Sequence, residues 1–214
     1  MASARLVGGL VCAILAQGAL SALCMAHGVA DRMAIHWGPS GEADGFAPPQ
    51  VALAFSPTLT LLVGLLLVAA PRLDPRVRAD PDTSRAYDRI VMGVFVFFTA
   101  LHAMVAFQLE VGRILPVGIG VGAILLGRSL RAIRPNGIMG FRTPWTLASD
   151  RAWERAHAGL AAWWTWGGVA TVLASVVHPA VGLGVLLTAL LGSTIALAIR
   201  SRRWWQEDPD RRPT

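Results

Sequence analysis

The sequence predicts an all-α integral membrane protein, a bundle of six transmembrane helices with both termini in the cytoplasm. Its composition is the first reason. Of the 214 residues, 54% are hydrophobic and only 15% are charged, whereas soluble domains carry roughly 25% charged residues. This balance argues against a soluble globular domain and against a disordered chain. The other two reasons are the length of the apolar runs and the uneven placement of the arginines.

Six apolar runs organise the chain. A helix needs about 20 mostly apolar residues to cross a hydrocarbon core of roughly 30 Å. The runs are residues 6–25, 51–70, 90–109, 114–127, 160–177 and 181–199. The first run is longer than the roughly 7–15 apolar residues of a signal peptide, so we expect it to be a retained helix.

The fourth run is the shortest. We expect its helix to continue toward Ile133, with Arg128 and Arg131 extending to the lipid headgroups. Gly118 and Gly122 form a GxxxG step in this run. Such a step favours the close approach of another helix.

Arginine placement predicts the orientation. All 19 basic residues are arginines. Seventeen lie in the segments on one side of the membrane, and only Arg32 and Arg113 lie on the other. The positive-inside rule places the seventeen in the cytoplasm with both termini. The net charge of +6 is then explained by topology and by attraction to anionic lipid, so we predict no direct nucleic-acid binding.

The outer loop, residues 27–50, joins the first two spans. It contains the turn signals Gly-Pro-Ser-Gly at 38–41 and Asp-Gly at 44–45. The side chains of His36, Glu42 and Asp44 can meet across these turns, and all three are of metal-ligand type. No two of them have a recognised ligand spacing. We therefore predict a structural loop whose polar side chains satisfy backbone groups of the turns, with no metal and no cofactor.

The inner loop, residues 134–158, joins the fourth and fifth spans and begins with the run PNGIMGFRTPWTL at 135–147. Pro135 cannot continue the fourth helix, and Asn136-Gly137 is a turn pair. Thr146 or Ser149 can then cap a helix that runs into the fifth span.

The inner loop also has an apolar side, formed by Ile138, Met139, Phe141 and Trp145. We expect this side of the loop to fold back against the membrane surface or into the helix bundle. Arg142 then needs a phosphate or a carboxylate as partner, and Asp150 and Glu154 are the nearest carboxylates in sequence. A lipid-anchored turn with an arginine extending to the headgroups is the alternative.

The inner run resembles the signature of the sporulation-delaying-toxin immunity family of bacterial membrane proteins. The matching positions are Pro135, Asn136, Gly140, Arg142, Thr143, Pro144, Trp145, Thr146, Leu147, Trp153 and His157. The outer loop is similar to the uncharacterised membrane domain that commonly precedes this signature, through His36, Gly41, Asp44 and Gly45. Ala156 and Ala34 depart from these patterns, which have threonine and proline there.

The resemblance implies a multi-pass protein of the bacterial inner membrane that gives immunity to a secreted toxic peptide. It also implies a signalling role, in which a small winged-helix autorepressor is held at the membrane. We expect an N-terminal two-helix unit, residues 1–89, and a four-helix immunity-family unit, residues 90–214. Partner-binding residues are expected in the inner loop, at Pro135, Asn136, Gly140, Arg142, Thr143, Pro144, Trp145, Trp153 and His157. Ligand-sensing residues are expected in the outer loop, at His36, Gly41 and Asp44.

Two other classes of function stay open. A transporter of ions or small molecules is expected to carry ionisable groups within its spans. Only His102 qualifies, and we expect it to be neutral and hydrogen-bonded to another helix. An intramembrane enzyme is less favoured because HExxH, GxSxG and SxxK motifs are absent. Its remaining support is a metal site built from Glu110 and His178 with His36 and Asp44. We predict that the protein is not an enzyme.

Overall fold

Six helices of the computed structural model, which describes residues 4–214, are long and apolar enough to cross a membrane. The six-helix prediction is thereby confirmed. In chain order the elements are α1 (Ala4–Ala26), β1 (Met33–Trp37), β2 (Ala43–Ala47), α2 (Pro49–Ala69), α3 (Arg76–Ala79), α4 (Pro81–Ala106), α5 (Val111–Leu130), α6 (Pro144–Leu147), α7 (Asp150–Val177) and α8 (Pro179–Gln206). The orientation with both termini in the cytoplasm remains a prediction from the arginines.

Polar first turns make two of the helices longer than their apolar runs. The Asp80 side chain accepts a hydrogen bond from the Thr83 N–H at 2.7 Å, so α4 begins at Pro81 rather than near residue 90. The Ser149 hydroxyl accepts one from the Ala152 N–H at 2.9 Å and starts α7. The predicted cap at Ser149 is thus confirmed.

The spans pack as two groups of three. In one group α4 packs on α1 and α2, around a core that includes Leu10 and Phe95. The other group consists of α5, α7 and α8. The unit boundary predicted at residues 89/90 lies inside α4.

Close contact between α5 and α7 is made at Gly120 and Gly168. A Cβ atom on Gly168 would lie only 2.5 Å from the Gly120 carbonyl oxygen, so both positions require glycine. The predicted role of the GxxxG step is wrong. A Cβ atom on Gly118 or Gly122 would meet nothing within 4 Å, because these two residues face away from α7.

Polar side chains link α1, α2 and α4 inside the bundle. The Gln17 amide donates to the Thr60 hydroxyl at 3.1 Å and to the Thr99 hydroxyl at 3.2 Å. His102 is fully buried, and its Nε2 lies 3.0 Å from both the Ser21 hydroxyl and the Gln17 carbonyl oxygen. Polar contacts of this kind hold helices together in the membrane. The predicted hydrogen bond from His102 to another helix is confirmed.

A β-hairpin, which the sequence analysis did not predict, occupies the outer loop. β1 and β2 pair antiparallel, with Met33 opposite Ala47 and Trp37 opposite Ala43. Met33 is fully buried in a cluster formed by the neighbouring ends of α2, α4 and α5. An isolated two-stranded hairpin is only marginally stable in water, so this packing against the helix ends is what stabilises it.

Candidate functional site

The signature loop, defined here as residues 134–149, starts with a buried asparagine that bonds to the backbone on both sides. The Asn136 side-chain oxygen accepts from the N–H groups of Ile138 and Met139, at 2.8 and 2.9 Å. Its amide nitrogen donates to the Arg134 carbonyl oxygen at 2.8 Å. These three bonds use most of the amide's capacity and fix the turn that follows α5.

A glycine then brings the loop against α7. Gly140 has a φ of +118°, and a Cβ atom there would lie 2.5 Å from His157 Nε2 and 2.9 Å from the Trp153 ring. The Trp153 and His157 rings stack with their centroids 4.1 Å apart. Only glycine combines this backbone conformation with this close approach. The signature glycine, tryptophan and histidine therefore form one contact.

His157 bonds to the loop and to its own helix. Its Nε2 accepts from the Phe141 N–H at 3.0 Å, and its Nδ1 lies 2.9 Å from the Trp153 carbonyl oxygen. Because Nε2 is an acceptor, Nδ1 carries the proton and donates to that carbonyl. Both nitrogens of the buried ring are satisfied by the neutral form.

Trp153 connects α7 to the end of α5. Its side chain is fully buried, and its indole N–H donates to the Ile133 carbonyl oxygen at 2.7 Å. Ile133 is itself buried just beyond the last turn of α5. This bond therefore fixes the start of the signature loop relative to the helix that follows it.

Two threonines form a capping box at the next step of the loop. The Thr143 hydroxyl accepts from the Thr146 N–H at 3.1 Å, and the Thr146 hydroxyl accepts from the Thr143 N–H at 2.8 Å. This reciprocal pair starts the short helix α6. The Thr143 hydroxyl also lies 3.2 Å from that of Ser201, which links the loop to α8.

A buried carboxylate from another loop, that of Asp74, also binds the signature loop. It was not predicted from the sequence. The Asp74 side chain, 6% exposed, accepts from the Gly137 N–H at 2.6 Å and pairs with the Arg76 guanidinium at 2.8 Å. The bonds from Arg76 and Gly137 hold the pKa of Asp74 well below its usual range. Asp74 is therefore ionised at neutral pH. Its separation of 63 residues from Gly137 leaves no signal in the sequence.

The C-terminal segment also binds to the loop. The Arg212 backbone N–H donates to the Ala148 carbonyl oxygen at 2.8 Å, and its guanidinium donates to that of Leu147 at 2.9 Å. The Ser149 hydroxyl donates to Asp208 at 2.5 Å, and this bond lowers the pKa of Asp208. Sequence reasoning gave this segment no role.

Several residues of the loop are presented to the outside, and we call four neighbouring ones the exposed patch: Arg142, Pro144, Trp145 and Leu147. Arg142, Pro144 and Leu147 are exposed, and Trp145 is half-buried. Among residues 4–214 the Trp145 indole N–H has no acceptor in the protein, in contrast to that of Trp153. The signature therefore divides into residues that fix the loop and residues that the fixed loop presents.

The expected partners of Arg142 are wrong. Its guanidinium donates to the Gly137 carbonyl oxygen. Glu154 pairs with Arg134 at 2.9 Å, and Asp150 lies 3.5 Å from Arg212. Both carboxylates are thus occupied by other arginines that the fold brings closer.

At the opposite end of the bundle, the hairpin brings His36 and Asp44 together. Their side chains are 72% and 55% exposed, and His36 Nδ1 lies 2.5 Å from an Asp44 carboxylate oxygen. Gly41, with a φ of +88°, lies at the turn against Gly112 of α5. A Cβ atom on Gly112 would lie 2.2 Å from the Gly41 carbonyl oxygen, so the tip of the hairpin is fixed on the helix bundle.

The four side chains considered for an outer metal site do not converge. Glu110 pairs with Arg113 at 3.0 Å. His178 accepts from the Ala180 N–H at 3.1 Å as the cap of α8. Within the described residues, no group of three or more His, Cys, Asp or Glu side chains is placed to hold a metal ion.

These features define a multi-pass helical membrane protein with a fixed loop at one end and a docked hairpin at the other. Residues 132–200 match the model of the SdpI/YfhL protein family, and residues 14–61 match a domain of unknown function, DUF1648. The C-terminal region is therefore similar to this family and is preceded by the DUF1648 match, which confirms the resemblance seen in the sequence. The two matches contain the signature loop and the hairpin. No curated protein and no solved structure is significantly similar to the chain.

Proposed function

We propose that this membrane protein of immunity type acts in the bacterial inner membrane and protects its cell from a secreted toxic peptide that binds the outer hairpin. The observation that carries the proposal is the exposed face of the hairpin. Ile35 and Phe46 are 43% and 48% exposed there, beside the exposed His36–Asp44 pair. A peptide that acts on membranes is amphipathic and often basic. Apolar side chains next to a carboxylate suit such a peptide.

The proposal assigns a second role to the exposed patch at the other end, which is docking of a cytoplasmic protein. By the family resemblance this partner is a small winged-helix repressor. An arginine that only extends to lipid headgroups does not require a fixed backbone conformation. Here Asn136, Gly140 and Thr146 fix the backbone around Arg142 through directional contacts. A fixed surface supports recognition of a protein more than anchoring in lipid.

Removal of the outer pair is expected to lower protection. His36→Ala and Asp44→Ala should each reduce survival about tenfold in a sensitive host challenged with culture supernatant of the source bacterium. The fold should persist, because an exposed side-chain pair of this kind contributes at most about 1 kcal/mol to stability. Asp31→Ala, which removes an exposed carboxylate outside the strands, is the matched control. Equal survival of all three variants and the wild type would show that the hairpin does not sense the toxin.

Conservative changes in the exposed patch are expected to impair docking. Lysine cannot reproduce the planar fork of five donors that a guanidinium offers to a partner. Arg142→Lys should therefore lower the membrane-bound fraction of the proposed partner, a tagged small winged-helix repressor of the same bacterium. Trp145→Phe should do the same, because it removes the free indole N–H.

Arg151→Lys is the control for this experiment, since Arg151 lies on the same side of the bundle outside the patch. Membrane insertion of each variant is measured in parallel. Full recruitment by Arg142→Lys and Trp145→Phe would leave lipid anchoring as the role of the patch.

A further inference from the structure

A crevice of about 800 Å³ lies between α4 and the helices of the second group. Its walls are formed by α4 on one side and by α5, α7 and α8 on the other. The volume lies within the range of roughly 300–1,000 Å³ typical of ligand pockets. The crevice lies within the spans, toward the end of the bundle that carries most of the arginines.

Two arginines line the mouth of the crevice, Arg89 on α4 and Arg128 on α5. Both are exposed, and neither has a carboxylate partner among residues 4–214. Two arginines near Arg89 in sequence do have carboxylate partners: Arg85 pairs with Asp82 at 2.5 Å, and Arg78 pairs with Asp88 at 2.7 Å. Two unpaired guanidinium groups at the level of the headgroups form a site for an anion such as a phosphate.

Glycines keep the interior of the crevice open. Gly93 on α4 and Gly122 on α5 line it, and a Cβ atom on either would meet nothing within 4 Å. A glycine inside a helix is less favourable than alanine, and neither of these two is needed for helix packing. What they provide is an unfilled apolar space.

The length of the crevice suits a hydrocarbon chain. Phe97, which also lines the crevice, lies eight positions after Arg89 on α4. At 1.5 Å per residue this distance is about 12 Å along α4. Half of the hydrocarbon core is about 15 Å thick, so a lipid chain that starts at the arginines reaches almost to the midplane.

We propose that the crevice holds a resident anionic phospholipid from the leaflet on the arginine-rich side. Its phosphate lies between Arg89 and Arg128, and one acyl chain fills the space beside Gly93 and Gly122. This site is separate from the hairpin and from the signature loop. A lipid held there would bridge α4 and the wall formed by α5, α7 and α8.

Native mass spectrometry of the full chain in detergent tests the proposal, with phosphatidylglycerol and phosphatidylcholine of identical chains as probes. Phosphatidylglycerol should bind preferentially, and R89A/R128A should weaken its binding on the order of tenfold. The control R72A/R202A removes two exposed arginines of the same side that do not line the crevice. Gly122→Leu should also abolish binding by filling the space, whereas Gly118→Leu, one turn away on α5, should not.

Three outcomes would overturn the proposal. Equal binding of the two lipids would show that the arginines select no headgroup. An equal loss in R72A/R202A would show a general effect of charge. Undiminished binding in Gly122→Leu would place the chain outside the crevice. Gly93→Leu repeats the steric test from the opposite wall if Gly122→Leu does not fold.

Discussion

Replacement of Gly140 by alanine is expected to release the signature loop from α7. Alanine at a φ of +118° costs about 1–3 kcal/mol in backbone strain. Its Cβ atom would in addition lie 2.5 Å from His157 Nε2 and 2.9 Å from the Trp153 ring, where both rings are fixed by their own hydrogen bonds. We expect a total destabilisation of about 2–4 kcal/mol.

Thermal unfolding in detergent and limited digestion with trypsin measure this effect. Cleavage after Arg142 should accelerate, roughly thirtyfold for 2 kcal/mol of local stability. Gly118→Ala is the matched control, because its added Cβ atom meets nothing within 4 Å. A Gly140→Ala protein with unchanged cleavage and unchanged unfolding would show that the contact with Trp153 and His157 does not hold the loop.

The membrane-spanning part of the fold was predictable because it depends on composition over long windows. An apolar run of about 20 residues has one stable arrangement in a bilayer, and a serine before such a helix has one common role. The hairpin was not predictable in this way. Its strands are only five residues long, and β1 places two consecutive residues, Met33 and Ala34, in the interior. The alternation that marks an exposed hairpin is therefore broken.

Long-range contacts account for most of the other differences. Sequence distance suggested Asp150 and Glu154 as partners of Arg142, but the loop turns back so that Arg142 meets Gly137. The carboxylate that does bind the loop, Asp74, comes from the connection between α2 and α4. The Asp74 contact does not follow from local patterns, because it depends on how the two helix groups are placed side by side. The Arg142 contact spans only five residues, but it depends on the turn that the loop makes at Asn136.

The two tryptophans of the signature show that a motif alone does not determine which side chain is buried. From the sequence, Trp145 was grouped with Arg142 among the partner-binding residues, and its apolar ring was expected to face either the membrane surface or the helix bundle. The structure places the buried indole at Trp153, with Trp145 on the outside. A tryptophan in a motif is compatible with either arrangement, since its ring is apolar and its N–H is polar. Burial, which depends on the whole fold, decides between the two.

The last prediction uses these two tryptophans as a matched pair. Trp153→Phe is expected to destabilise the protein by about 1–3 kcal/mol, because it leaves the buried Ile133 carbonyl oxygen without its donor. Trp145→Phe is expected to change the unfolding temperature little, because its half-buried indole has no acceptor within residues 4–214. Docking of the cytoplasmic partner should be impaired by both, by the first through a loosened loop and by the second at the contact itself. Thermal unfolding of both variants in detergent, together with the recruitment assay, distinguishes a loosened loop from a lost contact with the partner. Equal stability of the two variants would contradict the division of the signature into residues that fix the loop and residues that it presents.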